Sequence, residues 1–304
     1  MNKKNNKIRI DFFICKKNNL SRQKVEHLLK NNQVLLNDKI CTKKNTLINP
    51  EIDEIKINNI LNNNKDKVHK ILPLKIDLEI IYEDKYLLIA NKPSNIITHS
   101  TNYEENNTFA NIVKNYFDKN KIIYDFKDES RMGICHRLDK DTSGLIIIAK
   151  NQKILSLIQK LFQKNEIKKT YLALLNGNLE DKIIDVDVPI KIIKGTSKYQ
   201  VSQDYNAKNA FSTFELIKNY NHFCLVKISI KTGRTHQIRV HAKYIKHNIL
   251  NDPVYGENKK QVTKYGQYLF ANQLNFIHPI TNKLIDVKID MPGEFLYYIE
   301  KYGK

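Results

Sequence analysis

Residues Met132 to Lys150 read MGICHRLDKDTSGLIIIAK, and the rest of the chain is organised around this stretch. Its first half brings charged or titratable side chains close together: His136, Arg137, Asp139, Lys140 and Asp141. Its second half, from Leu145 to Ala149, is an apolar run of the kind that forms a buried strand. A charged loop joined to a rigid strand is typical of a catalytic loop, although a solvated turn before a core strand has the same pattern.

The composition limits the classes of protein to which the chain can belong. A length of 304 residues allows two domains, and 41% apolar residues suffice for a core. The net charge of +19 favours a polyanionic partner such as RNA or DNA, although Lys-, Asn- and Ile-rich usage also fits AT-rich coding. No run approaches the roughly 20 apolar residues of a membrane span, and no secretory signal is evident. Four cysteines without a CxxC pair favour free thiols in a reducing cytoplasm and argue against a zinc site.

Residues 8–68 are expected to form a small N-terminal domain. Val25, Leu28 and Leu29 share one face of a predicted helix, and residues 34–40 have the pattern of a short strand and tight turn. Basic residues surround the helix and the turn, among them Arg22, Lys24 and Lys39. Such a domain can bind phosphates, but a solvated charged face explains the charge alone equally well.

Residues 58–73 are polar, rich in Asn and Lys and without periodicity, so a linker is expected in this region, and we place it at residues 69–76. A larger domain, residues 77–304, follows. It contains a helical apolar pattern at 153–164, an alternating strand pattern at 223–230, and many further strand patterns with few helices between them. These patterns favour an α+β fold with a mixed, mostly antiparallel β-sheet flanked by helices and loops.

Two carboxylates of the opening stretch, Asp139 and Asp141, would lie on one side of an extended chain. Such a pair is used in glycoside hydrolysis and in metal binding. The neighbouring Arg137 and Lys140 instead favour one ionised carboxylate held by a cation, which can act as a nucleophile or base. A salt-bridged surface aspartate is the ordinary alternative.

A second constellation, KTGRTHQIRVH, spans Lys231 to His241. In a loop followed by a helix, Arg239 would point inward, and a buried arginine needs an acidic partner, for which Asp139 is a natural candidate. A third constellation, KKTYLAL, contains Tyr171 on a predicted strand. Its ring either packs in the core or stacks on a base, with the hydroxyl available for proton transfer.

Together HRLDKDTSGL, KKTYLALLNG and TGRTHQIRVH resemble the RluA/RluD-type family of RNA pseudouridine synthases, and they occur here in the family's order. The N-terminal segment LSRQKVEHLLKNNQVLLNDKI resembles the S4 RNA-binding module, so the resemblance covers roughly residues 8 to 300. One departure is Cys135, where the family usually has a β-branched apolar residue.

The resemblance implies isomerisation of uridine to pseudouridine within RNA, without a cofactor or metal. It assigns Asp139 as the catalytic aspartate, which attacks C1′ or assists removal of a ribose proton. Arg239 would be its ion-pair partner, and Tyr171 would stack on the target base and move the C5 proton. Arg137 would fill the gap left by the extruded base. The closest resemblance is to the RluD-like branch, which modifies 23S ribosomal RNA of the large subunit.

Further RNA-binding residues are expected around the site and in the N-terminal domain: His136, Arg234, His236, Gln237, Arg22, Lys24 and Lys39. We expect a cytoplasmic monomer whose partner is ribosomal RNA, with no membrane and no metal. One alternative is a non-catalytic S4-type RNA-binding or ribosome-assembly protein, which would not need the Asp, Arg and Tyr trio. Another is a glycoside hydrolase using Asp139 and Asp141, which leaves the basic charge and the S4-like segment unexplained.

Overall fold

The computed structural model describes most of the chain, namely residues 7–18, 20, 22–57, 71–99, 106–256 and 263–304, without the side chains of Gln23 and Lys24. The chain divides into two compact units, residues 1–68 and residues 69–304. Of the expected linker 69–76, residues 71–76 are described and contain neither helix nor strand. In these described ranges, no helix is both long and apolar enough to cross a membrane.

The N-terminal unit combines two short helices with short antiparallel strands. In chain order its elements are β1 (Ile8–Arg9), α1 (Ile10–Asn18), α2 (Arg22–Lys30), β2 (Val34–Leu36), β3 (Lys39–Ile40), β4 (Leu47–Ile48) and β5 (Ile55–Ile57). Strand β2 pairs with both β3 and β5, and β1 pairs with β4. Val25, Leu28 and Leu29 of α2 are buried together with Ile10 and Ile14 of α1, because the apolar face predicted from the spacing packs inward.

The larger unit is built on one sheet. Its elements are β6 (Ile80–Glu83), β7 (Leu87–Lys92), α3 (Phe109–Lys119), a 3₁₀ turn (Glu129–Arg131), β8 (Ser143–Ala149), α4 (Gln152–Gln163), β9 (Lys168–Asn176), β10 (Ile183–Asp187), β11 (Ile190–Ile192), β12 (Tyr199–Val201), β13 (Phe211–Asn219), β14 (Phe223–Ile230), α5 (Gln237–Tyr244), β15 (Leu269–Ile277), β16 (Leu284–Lys288) and α6 (Gly293–Tyr302). The sheet order is β10-β13-β14-β9-β15-β8-β7-β6, with β16 also beside β15.

Within the described residues, β15 runs parallel to β8, and the other neighbouring strands of this sheet are antiparallel. The predicted α+β class with a mixed, mostly antiparallel sheet is therefore confirmed. The predicted strand at 223–230 is β14, and the predicted helix at 153–164 is α4 (Gln152–Gln163). Helix α4 starts where the predicted pattern starts because the side chain of Asn151 accepts a hydrogen bond from the N–H of Ile154.

Strand β8 lies in the middle of the sheet, and every residue of it is buried. Gly144, near its start, has a φ of +115°, and a Cβ there would lie 2.3 Å from the carbonyl oxygen of Ala271 on β15. Only glycine allows this close approach of two backbones. The glycine of the TSGL sequence thus fixes the parallel pairing of β8 with β15, and the loop of Asp139 enters the sheet directly before it.

Candidate active site

Three segments that are distant in sequence meet at one cleft: the loop before β8, strand β9, and the turn that leads from β14 into α5. The side chains that line this cleft include Arg137, Asp139, Tyr171, Arg234, His236 and Arg239. The three constellations found in the sequence therefore form one site in the folded larger unit.

A buried lysine, Lys92, is hydrogen-bonded to the loop that carries Asp139. Lys92, at the end of β7, is completely buried, and its ammonium donates hydrogen bonds to the carbonyl oxygens of Pro93 and Ile96, both at 2.8 Å, and of Lys140 at 3.1 Å. Burial lowers the pKa of Lys92 to about 7, although the negative charge of Asp139 opposes this shift. Lys92 thus ties β7 to the loop and adds positive potential beneath it.

A second tie comes from Thr98. Its buried hydroxyl donates to the carbonyl of Leu138 at 2.6 Å and accepts from the N–H of the same residue at 3.2 Å. On the other side of Asp139, its carbonyl accepts from the N–H of Thr142 at 3.1 Å, which closes a turn. The backbone of Asp139 is therefore held on both sides, as a catalytic side chain requires.

Arg239 lies between two carboxylates. Its Nη1 donates to Oδ2 of Asp139 at 2.8 Å, the pairing expected from the sequence. Its Nε and Nη2 donate to the two oxygens of Asp252 at 2.7 and 2.8 Å. Burial alone would lower the pKa of Arg239, but the bonds to Asp252 and Asp139 outweigh burial and raise it. The guanidinium is therefore permanently charged, and Asp139 faces a fixed cation.

The two carboxylates differ in their surroundings. The side chain of Asp252 is fully buried, whereas that of Asp139 is 19% exposed to the cleft. Asp252 also accepts from the N–H groups of Val254 and Tyr255 at 2.8 and 3.0 Å. Burial raises the pKa of Asp252, but the Arg239 and N–H donors more than offset this effect and lower it. Asp252 is thus a structural anion, and Asp139 is the accessible one.

Sequence reasoning missed Asp252, although it lies in the NDPVYG segment. A signal was present: an inward arginine has five N–H donors in a planar fork, more than one carboxylate can satisfy. A second buried acceptor was therefore to be expected, but the sequence offers many aspartates and does not indicate which one reaches Arg239.

His236 lies beside Asp139 in a constrained position. It has a φ of +56° directly before α5, and its Nε2 is 3.8 Å from Oδ2 of Asp139. Its Nδ1 is 2.9 Å from the hydroxyl of Tyr255, which itself accepts from the N–H of Tyr199 at 2.8 Å. Burial lowers the pKa of His236, although Asp139 opposes the shift. A neutral imidazole whose Nε2–H points toward Asp139 satisfies all of these contacts.

Tyr171 presents an unused hydroxyl to the cleft. The residue lies on β9 between Ile228 of β14 and Ala271 of β15, and its side chain is largely buried. Burial and the nearby charge of Asp139 raise its pKa, so the phenol is neutral. Among the described residues, no hydrogen-bond partner of its hydroxyl occurs, so the group can bond to a substrate.

Two residues predicted to bind RNA, His136 and Gln237, line the clefts but also make contacts inside the protein, and their RNA-binding role stays a prediction. Nε2 of His136 accepts the N–H of Ile147 at 3.0 Å, and its ring packs against Phe162 at 4.8 Å. Burial lowers the pKa of His136 to about 3, so the ring is neutral and anchors the loop to β8.

Gln237 is the second of these residues, and it is buried. The amide oxygen accepts from Thr232 Oγ1 at 2.7 Å and from the N–H of Arg234 at 3.0 Å. The amide nitrogen donates to the carbonyl of Phe211 at 2.9 Å and to Ser212 Oγ at 3.0 Å. All of these donors and acceptors are engaged within the protein, so Gln237 shapes the turn.

The remaining predicted RNA-binding residues of the larger unit, Arg137 and Arg234, are exposed at the cleft. In the N-terminal unit, Arg22 and Lys39 are exposed, and the guanidinium of Arg22 lies 4.4 Å from the ring centre of Phe12. The side chain of Lys24 lies outside the described residues. These positions allow contact with a polyanion, and the RNA-binding role of each residue stays a prediction.

Asp141 does not join Asp139 at the cleft. It is not among the residues that line the cleft, its carbonyl accepts from Ser94 Oγ at 2.9 Å, and its Cβ packs against Gly266. Within the described parts of the chain, no group of three or more His, Cys, Asp or Glu side chains is arranged to hold a metal ion. The arrangement offers one accessible carboxylate, one fixed guanidinium and one neutral phenol, which suits nucleophilic and proton-transfer chemistry.

Comparisons with known proteins converge on one family. A family model described as RNA pseudouridylate synthase matches residues 86–244. An uncharacterised RNA pseudouridine synthase of Mycoplasma pneumoniae, the MG209 homolog, is 37% identical over 94% of this chain and 90% of its own length. Ribosomal large subunit pseudouridine synthase D of Zymomonas mobilis is 34% identical over 73% of this chain and 72% of its own. Human RNA Pseudouridylate Synthase Domain Containing 1 shares the fold, with a TM-score of 0.58 at 22% identity over 70% of this chain and 83% of the human chain.

Proposed function

The chain belongs to the RNA pseudouridylate synthase family, and from this premise we propose that it converts specific uridines of large-subunit (23S) ribosomal RNA to pseudouridine with Asp139 as the nucleophile. As a member of the family it is an enzyme, an isomerase that modifies RNA. The observation that carries the assignment of Asp139 is its position: an accessible carboxylate, 2.8 Å from the guanidinium of Arg239, at a cleft lined by cations.

The reaction conserves all atoms and electrons. A carboxylate oxygen of Asp139 bonds to C1′ of the ribose as the bond from C1′ to N1 breaks, and the uracil leaves with the electron pair. The base turns so that C5 faces C1′, a bond from C5 to C1′ forms, and the carboxylate leaves. The proton on C5 is lost, and N1 gains a proton. No oxidant, reductant or group donor is needed.

The neighbours of Asp139 suit this sequence of steps. Arg239 donates to the carboxylate and holds it in one rotamer, which preorganises the attack. The free hydroxyl of Tyr171 is available to take the C5 proton or to relay it. The uridine has to leave its helix to reach the cleft, which costs a few kcal/mol. We assign Arg137, an exposed residue that lines the cleft, to fill the space that the base vacates.

The choice of ribosomal RNA rests on similarity and charge. Relatives named ribosomal large subunit pseudouridine synthase D are 34% and 32% identical to this chain. The net charge of +19 supports a polyanionic substrate. We further propose that the N-terminal unit is an S4-like RNA-docking domain, with Arg22 and Lys39 as phosphate-binding residues. Substitution of either by Gln is expected to weaken RNA binding, and unchanged affinity in both variants would contradict this docking role.

The test is pseudouridine mapping after incubation of purified protein with ribosomal RNA transcripts. Pseudouridine is detected by carbodiimide adducts that stop primer extension. Wild-type protein is expected to modify a small set of uridines in 23S RNA and none in 16S RNA. Modification confined to another RNA would refute the substrate, and no modification of any RNA would refute the activity.

Asp139→Asn is the decisive variant, and Asp141→Asn is its matched control two residues away. Asp139→Asn is expected to fold and to bind RNA but to form no pseudouridine, while Asp141→Asn retains activity. Retained activity of Asp139→Asn would overturn the nucleophile assignment. A slowed reaction with ribose deuterated at C2′ would instead favour the route in which Asp139 removes a ribose proton.

A further inference from the structure

A second cleft lies beside the first and contains a lysine that the proposed reaction does not use. Arg137, Tyr171 and Arg234 line both clefts, and the second adds Phe162 and Lys169. Because the two clefts share these residues, a polynucleotide with a ribose at Asp139 can extend into the second cleft.

Building on the proposed function, we propose that this second cleft binds the backbone phosphate next to the extruded uridine and that Lys169 is its central phosphate-binding residue. The cations of the cleft support this inference. Lys169, Arg137 and Arg234 line it together, and no carboxylate is among its described lining residues. None of the three makes an ion pair with any described carboxylate, in contrast to Arg239 on the neighbouring wall.

The ammonium of Lys169 is placed to meet a ligand. It lies 5.6 Å from the ring centre of Phe162 and next to Gly233, where a Cβ would come within 3.4 Å of the nitrogen. The aromatic ring supports one side of the cation. Gly233 has no side chain to cover the ammonium, so an anion can approach it there.

Without a bound anion, Lys169 is disfavoured as a cation by burial and by repulsion from Arg234. Burial, and secondly the positive charge of Arg234, lower the pKa of Lys169 to about 8. A cation that is partly desolvated and repelled by its neighbours gains most from an anion that bonds to several donors at once. A phosphate diester does this, with Arg137 and Arg234 as further donors.

The matched pair of variants is Lys169→Met and Lys168→Met. Both remove one positive charge from adjacent positions of β9, but Lys168 is exposed and does not line the cleft. RNA affinity is measured by equilibrium binding of the full chain to a 23S stem-loop at several KCl concentrations. Loss of one charge-assisted hydrogen bond is expected to raise the Kd of Lys169→Met by about tenfold. The slope of log K against log salt should fall by about 0.7 to 0.9.

Lys168→Met is expected to change both quantities much less. Equal effects of the two variants would show that Lys169 contributes only general positive charge, and the inference would be refuted. Lys169→Arg restores the cation and should bind nearly as the wild type does. If it binds as weakly as Lys169→Met, the phosphate contact is also refuted.

The dependence of binding on pH is an independent readout. The other charged or titratable groups that line the cleft are Cys135, His136, Arg137, Tyr171 and Arg234. Between pH 7 and 9 both arginines stay charged, His136 stays neutral because its pKa is lowered to about 3, and burial raises the pKa of Cys135 and of Tyr171.

Free Lys169, with a pKa of about 8, loses its proton in this window, and a bound phosphate raises that pKa. Wild-type affinity should therefore fall from pH 7 to pH 9, and the affinity of Lys169→Arg should fall less. The same pH dependence in both proteins would contradict the inference.

These binding measurements do not require turnover. If wild-type protein forms no pseudouridine but Lys169→Met shows the predicted binding defect, the proposed function fails and the phosphate site stands. If wild-type protein forms pseudouridine and the two methionine variants bind alike, the phosphate site alone fails.

Discussion

Replacing Asp252 by Asn should destabilise the protein much more than replacing Asp139 by Asn, although both carboxylates bond to Arg239. Asp252 is fully buried and accepts two bonds from the guanidinium and two from backbone N–H groups. In Asp252→Asn, the amide can keep one oxygen acceptor, but its NH₂ group faces a guanidinium donor. Arg239 is then a buried cation without its main partner.

The expected loss of stability in each variant depends on which charge remains without a partner. Breaking a buried ion pair by removing one partner costs about 3–5 kcal/mol. In Asp139→Asn, Arg239 keeps Asp252, and the lost bond belonged to a carboxylate that is 19% exposed. A loss of about 1 kcal/mol is expected there. For a unit of this size, 1 kcal/mol shifts Tm by about 2–4 °C, so Asp252→Asn should lower Tm by roughly 10 °C and Asp139→Asn by only a few degrees.

Urea denaturation and thermal melting, followed by circular dichroism, measure both variants against the wild type. Pseudouridine formation is measured in parallel at a temperature where all three proteins are folded. Equal stability losses in the two variants, or a wild-type Tm for Asp252→Asn, would refute the view that Asp252 is the structural partner of Arg239 and Asp139 the reactive one.

Tyr171→Phe removes a hydroxyl without a described partner, so the free energy of unfolding should change by less than about 0.5 kcal/mol. Pseudouridine formation, measured in single-turnover assays, should slow strongly. Wild-type rates would exclude the hydroxyl from proton transfer. Gly144→Ala places a Cβ 2.3 Å from the carbonyl oxygen of Ala271, a clash that would shift strand β8 relative to β15. The free energy of unfolding, measured by urea denaturation, should fall by more than about 3 kcal/mol. Gly195→Ala is the control, because Gly195 has a φ of +80° but a Cβ there would meet no atom within 4 Å. Its free energy of unfolding should fall only by the backbone strain of about 1–2 kcal/mol. Equal losses of stability in the two variants would refute the clash at Gly144.

The class of the fold could be predicted because its strands carry strong local patterns. In β14 the apolar residues Val226, Ile228 and Ile230 alternate with Lys227 and Ser229, and α4 has an apolar face and an Asn cap, so the sequence locates both elements within one residue. The order of strands in the sheet could not be predicted, since the parallel contact of β15 with β8 joins segments more than a hundred residues apart. Gly144 carries the information for that contact, but a glycine in a sequence does not say which backbone approaches it.

The site was predictable only in part, for a related reason. The pairing of Arg239 with Asp139 follows from the cost of an unpaired buried cation. The same principle requires a second acceptor for the remaining N–H donors of Arg239, but it does not identify Asp252 among the acidic residues of the chain. Gln237 shows a second limit, because a polar residue in a basic motif suggests RNA contact, and the sequence does not indicate that its amide is fully engaged in a turn.

The two carboxylates around Arg239 have a consequence for the chemistry. One guanidinium is shared between Asp139 and Asp252, so Asp139 does not receive the full charge of Arg239, while Lys169, Arg137 and Arg234 make the second cleft positive. Breaking the bond from C1′ to N1 develops positive charge at C1′, which the carboxylate of Asp139 stabilises. In Asp252→Asn, the guanidinium would bind Asp139 undivided and make it a weaker nucleophile. Asp252→Asn should therefore slow pseudouridine formation even under conditions where the variant is fully folded, which a purely structural role of Asp252 would not produce.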